Sequence, residues 1–140
     1  EESLVLKEDK DGNKRSGINT YMNGTNVFSF GIGTVTQELK KFIEHFQIDK
    51  EQIKYFYFHQ ANRFMNDMIR KKLKLTPEQV PYSLDKYGNT SSATIPVTMT
   101  KQDTNLENTE VVMCGFGVGL SIGIVRMKFE EGIINDLIEY

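Results

Sequence analysis

Four consecutive aromatic residues, Tyr55-Phe56-Tyr57-Phe58, run directly into His59-Gln60-Ala61-Asn62, and the segment after them, Arg63 to Leu75, has the apolar spacing of a helix. A short aromatic run of this kind reads as a buried strand. His59 therefore stands at a strand-to-helix corner, where open α/β sheets gather their ligand-binding groups. Two glycine-rich corners follow, Tyr87-Gly88-Asn89-Thr90-Ser91 and Gly115-Phe116-Gly117-Val118-Gly119. Each can present a polar group or bare backbone N–H to one pocket. Together they supply two side-chain hydrogen-bond donors and no convincing nucleophile.

The rest of the chain reads as alternating elements. Asp9 to Asn13 is a turn between two short strands, since Asp-Gly favours hairpin geometry. Asn23-Gly24-Thr25-Asn26 caps a helix from near Val27 to about Phe46, interrupted by Gly31-Ile32-Gly33, where another segment can pack closely. Asp49 caps a short turn before the aromatic strand. Asn62 caps the following helix, and Thr76-Pro77-Glu78-Gln79 reads as a further helix start. Thr90 to about Met99 is helical if Pro96 falls in its first turn or kinks it. Lys101 to Thr109 is polar and reads as a loop. Val111 to Cys114 and Leu120 to Phe129 are strands joined through the last glycine-rich corner. Glu130 to Tyr140 is a small amphipathic helix or a frayed tail. The pattern is α/β, a mixed β-sheet with helices packed on it.

At 140 residues, with 39% apolar and 26% charged residues, the chain is sized for one domain with a real core. No apolar run approaches the roughly 20 residues of a membrane span. A net charge of −2 argues against nucleic-acid binding. The single cysteine, Cys114, excludes an internal disulfide and fits a reducing, cytoplasmic setting. Two histidines, His45 and His59, are too few for a His-rich metal site, and no acidic cluster replaces one, so no metal is expected. The opening Glu1-Glu2-Ser3, without an initiator Met, hints at a missing upstream portion.

His-Gln-Ala-Asn at 59–62, Lys-Tyr-Gly-Asn-Thr-Ser-Ser-Ala at 86–93 and Gly-Phe-Gly-Val-Gly-Leu-Ser-Ile-Gly at 115–123 resemble the C-terminal half of β-ketoacyl-acyl-carrier-protein synthase III. Met22 to Phe28 looks like that family's Met-x-Gly-x-x-Val-Phe segment. The resemblance runs from about Ile18 to Phe129. It implies the C-terminal half of a thiolase-like fold, residues 1–129 forming the domain with 1–20 as lead-in strands, and 130–140 as an extension.

It also implies a chemistry, a decarboxylating Claisen condensation of an acyl thioester with malonyl-acyl carrier protein at the start of fatty-acid biosynthesis. The acyl group is loaded from acyl-CoA onto a Cys of the N-terminal half, with no cofactor. The resemblance carries the family's His and Asn onto His59 and Asn89. Loss of CO₂ leaves negative charge on the malonyl thioester oxygen, and two neutral N–H donors aimed there stabilise it. His59 must donate from one nitrogen, so its other nitrogen needs a partner. Backbone N–H at Val118, beside Gly117, would complete an oxyanion hole for the acyl thioester. Phe28, Phe116, Ala61 and Asn62 would line the substrate channel.

Arg63, Arg70 and Lys71 lie on a basic helix that reads as a docking face for the acidic carrier protein, or as a solvated surface. The family usually has Arg two residues after the motif's Asn, where this chain has Phe64. The implied partners are acyl carrier protein, CoA thioesters, the protein's own N-terminal half and a second copy in a homodimer. Cys114, in an apolar strand, reads as a small hydrophobe and not as the nucleophile. The alternatives are a related condensing enzyme of secondary metabolism, and a non-catalytic interaction domain of the same fold.

Overall fold

The computed structural model describes residues 4–19, 22–102, 105–117, 119–131 and 138. Its centre is a three-stranded sheet in the order β3-β4-β5, built from Tyr55–Phe58, Thr109–Gly117 and Ser121–Phe129. β3 pairs parallel with β4, Tyr55 opposite Val111 and Phe58 opposite Cys114. β4 then turns back on β5 in an antiparallel hairpin, Gly117 opposite Ser121. The sheet is therefore mixed, as its sequence pattern predicts. The short strands β1 (Lys7–Glu8) and β2 (Lys14–Arg15) form a separate hairpin. Asp9 closes its turn by accepting from the backbone N–H of Asp11 and Asn13.

Alternation along β3 divides the core. Phe56 and Phe58 share one face with Val112, Cys114 and Phe116 of β4. Against them pack Val35 and Leu39 of one helical arm and Met65, Ile69 and Leu73 of the next. Tyr57 points the other way and is equally buried, on the side where α5 (Thr94–Gln102) lies against β3. The residue after the strand, His59, stands at the end of the sheet between Thr94 of α5 and Phe116 of β4.

The first helical arm comprises α1 (Gly24–Phe30), a π-helical turn (Gly31–Val35) and α2 (Thr36–His45). Asn23 caps α1 by accepting from Asn26 N–H at 3.0 Å, so the helix starts earlier than Val27. The π turn falls on the two glycines. A Cβ at Gly31 would overlap Met65 Sδ, which explains the close approach of α3 (Arg63–Leu73) at that point. Gly33 faces open space. Asn62 caps α3, its Oδ1 accepting from Met65 N–H at 2.8 Å. Its last turn ends at Lys74, whose φ of 57° is left-handed.

Thr76-Pro77-Glu78-Gln79 departs from expectation. The reciprocal cap forms, with Thr76 N–H donating to Gln79 Oε1 at 3.1 Å and Gln79 N–H to Thr76 Oγ1 at 3.4 Å. No helix grows from it, because Pro81 disfavours a helical Val80. Gln79 O instead accepts from Phe56 N–H at 2.7 Å, drawing the chain alongside β3. A one-turn helix, α4 (Leu84–Tyr87), follows instead. Pro96 does sit in the first turn of α5, behind a 3₁₀ turn at Ser91–Ala93. α5 runs to Gln102, so the expected loop starts later than Lys101. The proposed tail element, 130–140, lies almost wholly outside the described residues. No helix among those described is long and apolar enough to cross a membrane.

Candidate active site

His59 is fixed from three sides. Its backbone N–H extends the parallel ladder to Cys114 O at 2.9 Å. Its carbonyl accepts from Ala61 N–H at 3.0 Å and from Asn66 Nδ2 on α3 at 3.1 Å. Phe116 of β4 meets the imidazole edge-on, with ring centroids 5.4 Å apart. The ring's Nδ1 lies 2.7 Å from Thr94 Oγ1, at the start of α5. The ring is half-buried, and burial lowers its pKa below the usual histidine value of 6.5, opposed by a hydrogen bond to the Ser91 backbone.

Asn89 sits in a strained turn. Gly88 has φ +65°, and Ser91, not a glycine, has φ +56°. That geometry lets Ser91 N–H donate to Asn89 Oδ1 at 2.9 Å while Ser91 O accepts from Thr94 Oγ1 at 2.9 Å. A hydrogen-bonded chain thus runs Asn89–Ser91–Thr94–His59. Ser91 N–H can only donate, so the carboxamide oxygen is its partner and the exposed amide's remaining offer is its NH₂.

Behind the chain lies a layer of buried polar side chains. Gln60, Asn66, Ser83, Thr94 and Thr98 are each at most 1% exposed. Thr98 Oγ1 donates to Thr94 O at 2.7 Å, so Ser83 Oγ, 2.7 Å from Thr98 Oγ1, is the donor of that pair. Gln60 Nε2 donates to Phe58 O at 2.8 Å, and its Oε1 accepts from Ser83 N–H at 3.4 Å. Sequence reasoning missed this layer. Its one visible trace is the i, i+4 pair Thr94 and Thr98, which places two hydroxyls on one helix face.

The other sequence-predicted residues are distributed as follows. Phe116 is 7% exposed, against the imidazole; Gly117 ends β4; Val118 lies outside the described residues. Phe28 stacks on Phe64 at 5.9 Å and, like Ala61, packs against the core that includes Phe116. Asn62 is spent on its helix cap. Arg63 lies over the Tyr82 ring at 5.1 Å. Tyr82 itself is pushed up to about 12 by burial and by Asp67, which accepts its hydroxyl. Arg70 binds Asp67 at 3.3 Å and Leu75 O at 3.1 Å, so it is tied into the end of α3, whereas Lys71 is exposed. Cys114 is buried, and burial pushes its thiol up to about 12. It is thus a poor nucleophile, as its apolar strand suggests.

A polar depression of about 550 Å³ between Lys54, Asn105, Glu107 and Asn108 lies at the opposite ends of β3 and β4 and contains none of these groups. Among the described residues, no group of three or more His, Cys, Asp or Glu could hold a metal.

The family model described as 3-oxoacyl-[acyl-carrier-protein] synthase III C terminal matches residues 43–129. A putative 3-oxoacyl-[acyl-carrier-protein] synthase 3 of Campylobacter jejuni is 30% identical over 123 residues, 87% of this chain and 35% of that protein. A β-ketoacyl-[acyl-carrier-protein] synthase III of Gloeobacter violaceus is 32% identical over 131 residues, 91% of this chain and 40% of the relative. The crystal structure of a 3-oxoacyl-(acyl-carrier protein) synthase from Burkholderia xenovorans superposes with a TM-score of 0.78 at 30% identity, covering 88% of this chain and 36% of that one. The chain spans 35–40% of the length of these curated relatives.

Proposed function

The chain belongs to the 3-oxoacyl-[acyl-carrier-protein] synthase III C-terminal family, and from that premise we propose that it is the C-terminal catalytic half of an enzyme condensing acyl thioesters with malonyl-acyl carrier protein, in the initiation of fatty-acid biosynthesis in the cytoplasm. The nucleophilic Cys comes from an N-terminal half, since the thiol of Cys114 is buried and stays protonated. Acyl-CoA loads that Cys. Malonyl-acyl carrier protein then loses CO₂, and the enolate carbon attacks the acyl thioester.

In this reading His59 and Asn89 meet the malonyl thioester oxygen as its charge grows. The observation that carries it is the hydrogen-bonded chain linking the two side chains through Ser91 and Thr94. It fixes one relative to the other before substrate arrives, which is what makes a donor site effective in a transition state. Phe116 and Phe28 wall the approach. The backbone N–H of Val118, beside Gly117, is the donor to the acyl-thioester oxygen together with the backbone N–H of the upstream Cys, and Lys71 with Arg63 forms the outward basic surface for the carrier protein.

The test is His59→Ala in the whole protein, assayed for malonyl-thioester decarboxylation. The expected loss is about 10²–10³-fold, the usual effect of deleting one such donor. A rate equal to wild type would overturn the assignment.

A further inference from the structure

The Thr94 hydroxyl carries one hydrogen, and two contacts compete for it. Oγ1 lies 2.7 Å from His59 Nδ1 and 2.9 Å from Ser91 O. A carbonyl oxygen cannot donate. Both contacts become hydrogen bonds in only one arrangement: Thr94 donates to Ser91 O and accepts from a protonated Nδ1. The reverse arrangement, with Thr94 donating to a bare Nδ1, leaves the Ser91 O contact without a hydrogen. A hydrogen bond to the Ser91 backbone also favours the protonated ring. The hydroxyl itself cannot turn elsewhere freely, because Thr94 is 1% exposed and its carbonyl is held by Thr98.

We infer that Thr94 is a positioning residue that fixes the single proton of neutral His59 on Nδ1, leaving Nε2 a lone pair. This rests on the reading of His59 as a decarboxylation group and changes what that group requires. Asn89 is tied by its acceptor end and offers hydrogens. Neutral His59 is tied by its donor end and offers none from Nε2. It becomes a second donor only when Nε2 takes a proton, so the decarboxylating form is the imidazolium. Among the described residues the charged groups on the surrounding elements are engaged elsewhere or face solvent: Lys101 of α5 pairs with Asp85, Arg70 and Asp67 of α3 pair with each other, Arg63 lies over the Tyr82 ring, Lys72 donates to Ile32 O, Lys71 is exposed, Glu110 of β4 pairs with Arg126, and Cys114 stays neutral. The proton therefore comes from solvent or from a reacting group.

The whole protein, labelled with ¹⁵N-histidine, reads this directly. Long-range ¹H–¹⁵N spectra above the ring's titration should show His59 protonated at Nδ1 and bare at Nε2, with His59→Gln identifying the signals. Thr94→Val keeps the shape and removes the hydroxyl; it should move the neutral ring toward the Nε2–H form. Thr94→Ser should restore the wild-type pattern. Wild-type decarboxylation should fall about tenfold per pH unit once pH exceeds the ring's pKa, and Thr94→Val should flatten that fall. A neutral wild-type ring protonated at Nε2, or a tautomer unmoved in Thr94→Val, would overturn the inference; so would a flat wild-type profile. Full decarboxylation in His59→Ala would instead sink the function proposed for His59 while leaving the tautomer result standing.

Discussion

His59 and Asn89 are held in opposite ways. The histidine is fixed by parts of the chain remote in sequence: β4 through Cys114, α3 through Asn66, α5 through Thr94. Asn89 is fixed by its own turn, through an amide two residues away and a left-handed Ser91. One position depends on the packed fold and the other on local backbone geometry. Damage to the core should therefore displace the imidazole first and damage to the turn the carboxamide first, each reaching the other group only as a smaller shift through Ser91 and Thr94.

The largest effect that would sharpen this contrast is expected from Thr98→Val. The change removes the hydroxyl that donates to Thr94 O and accepts from Ser83 Oγ, inside a layer closed to water. Stranding buried polar groups costs about 1–3 kcal/mol. The unfolding midpoint in urea should drop accordingly. The His59 ring signals should shift more than those of the Asn89 side-chain amide. Equal movement of both would break the distinction between the corners.

A smaller effect is expected from Ser91→Gly. A non-glycine residue at φ +56° carries strain of about 1–3 kcal/mol. Glycine relieves the strain but enlarges the unfolded ensemble by up to about 1 kcal/mol. The strain relieved matches or exceeds that cost, and both backbone partners of Ser91 survive the change. Stability should hold level or rise by up to about 2 kcal/mol, with the Asn89 amide broadened and His59 little moved. A loss above about 2 kcal/mol would mean that the serine side chain itself holds the turn.

The same division explains what could be read from the sequence. The first two corners were legible because each has a local cause, an aromatic strand meeting an Asn cap at Asn62 and a glycine before Asn89; the third turns later than expected, since Gly115 to Gly117 continue β4 and pair with Ser121 to Gly123. Pro96 was placeable because proline fits only the first turn of a helix. Gly31 was legible as a point of close approach, although nothing along the chain says that Met65 fills it. The helix expected at Thr76 failed because its cap is local while Gln79 O is claimed by Phe56, more than 20 residues back. The support under His59 was illegible for the same reason. His59 and Thr94 are 35 positions apart, and Gln60 and Ser83 are 23 apart. Such partners emerge only when β3, α5 and the segment before α4 are brought together.

The smallest expected effect follows from the titration of His59 itself. Burial lowers its pKa in the folded chain below the 6.5 of an unfolded histidine. Between those two values the unfolded chain binds more protons than the folded one, so stability falls with falling pH. The sign is therefore a full contribution above pH 6.5, declining below it and levelling off under the folded pKa. The ring is only half-buried, so the decline should be shallow. Urea unfolding at pH 7.5 and at pH 5.5 should show it in wild type. His59→Gln should lessen it, since glutamine does not titrate and the carboxylates contribute equally in both proteins. A slope that survives His59→Gln would show that the imidazole pays no penalty for charging where it sits. The contrast between a core-held histidine and a turn-held asparagine would then lose its electrostatic half and rest on hydrogen bonding alone.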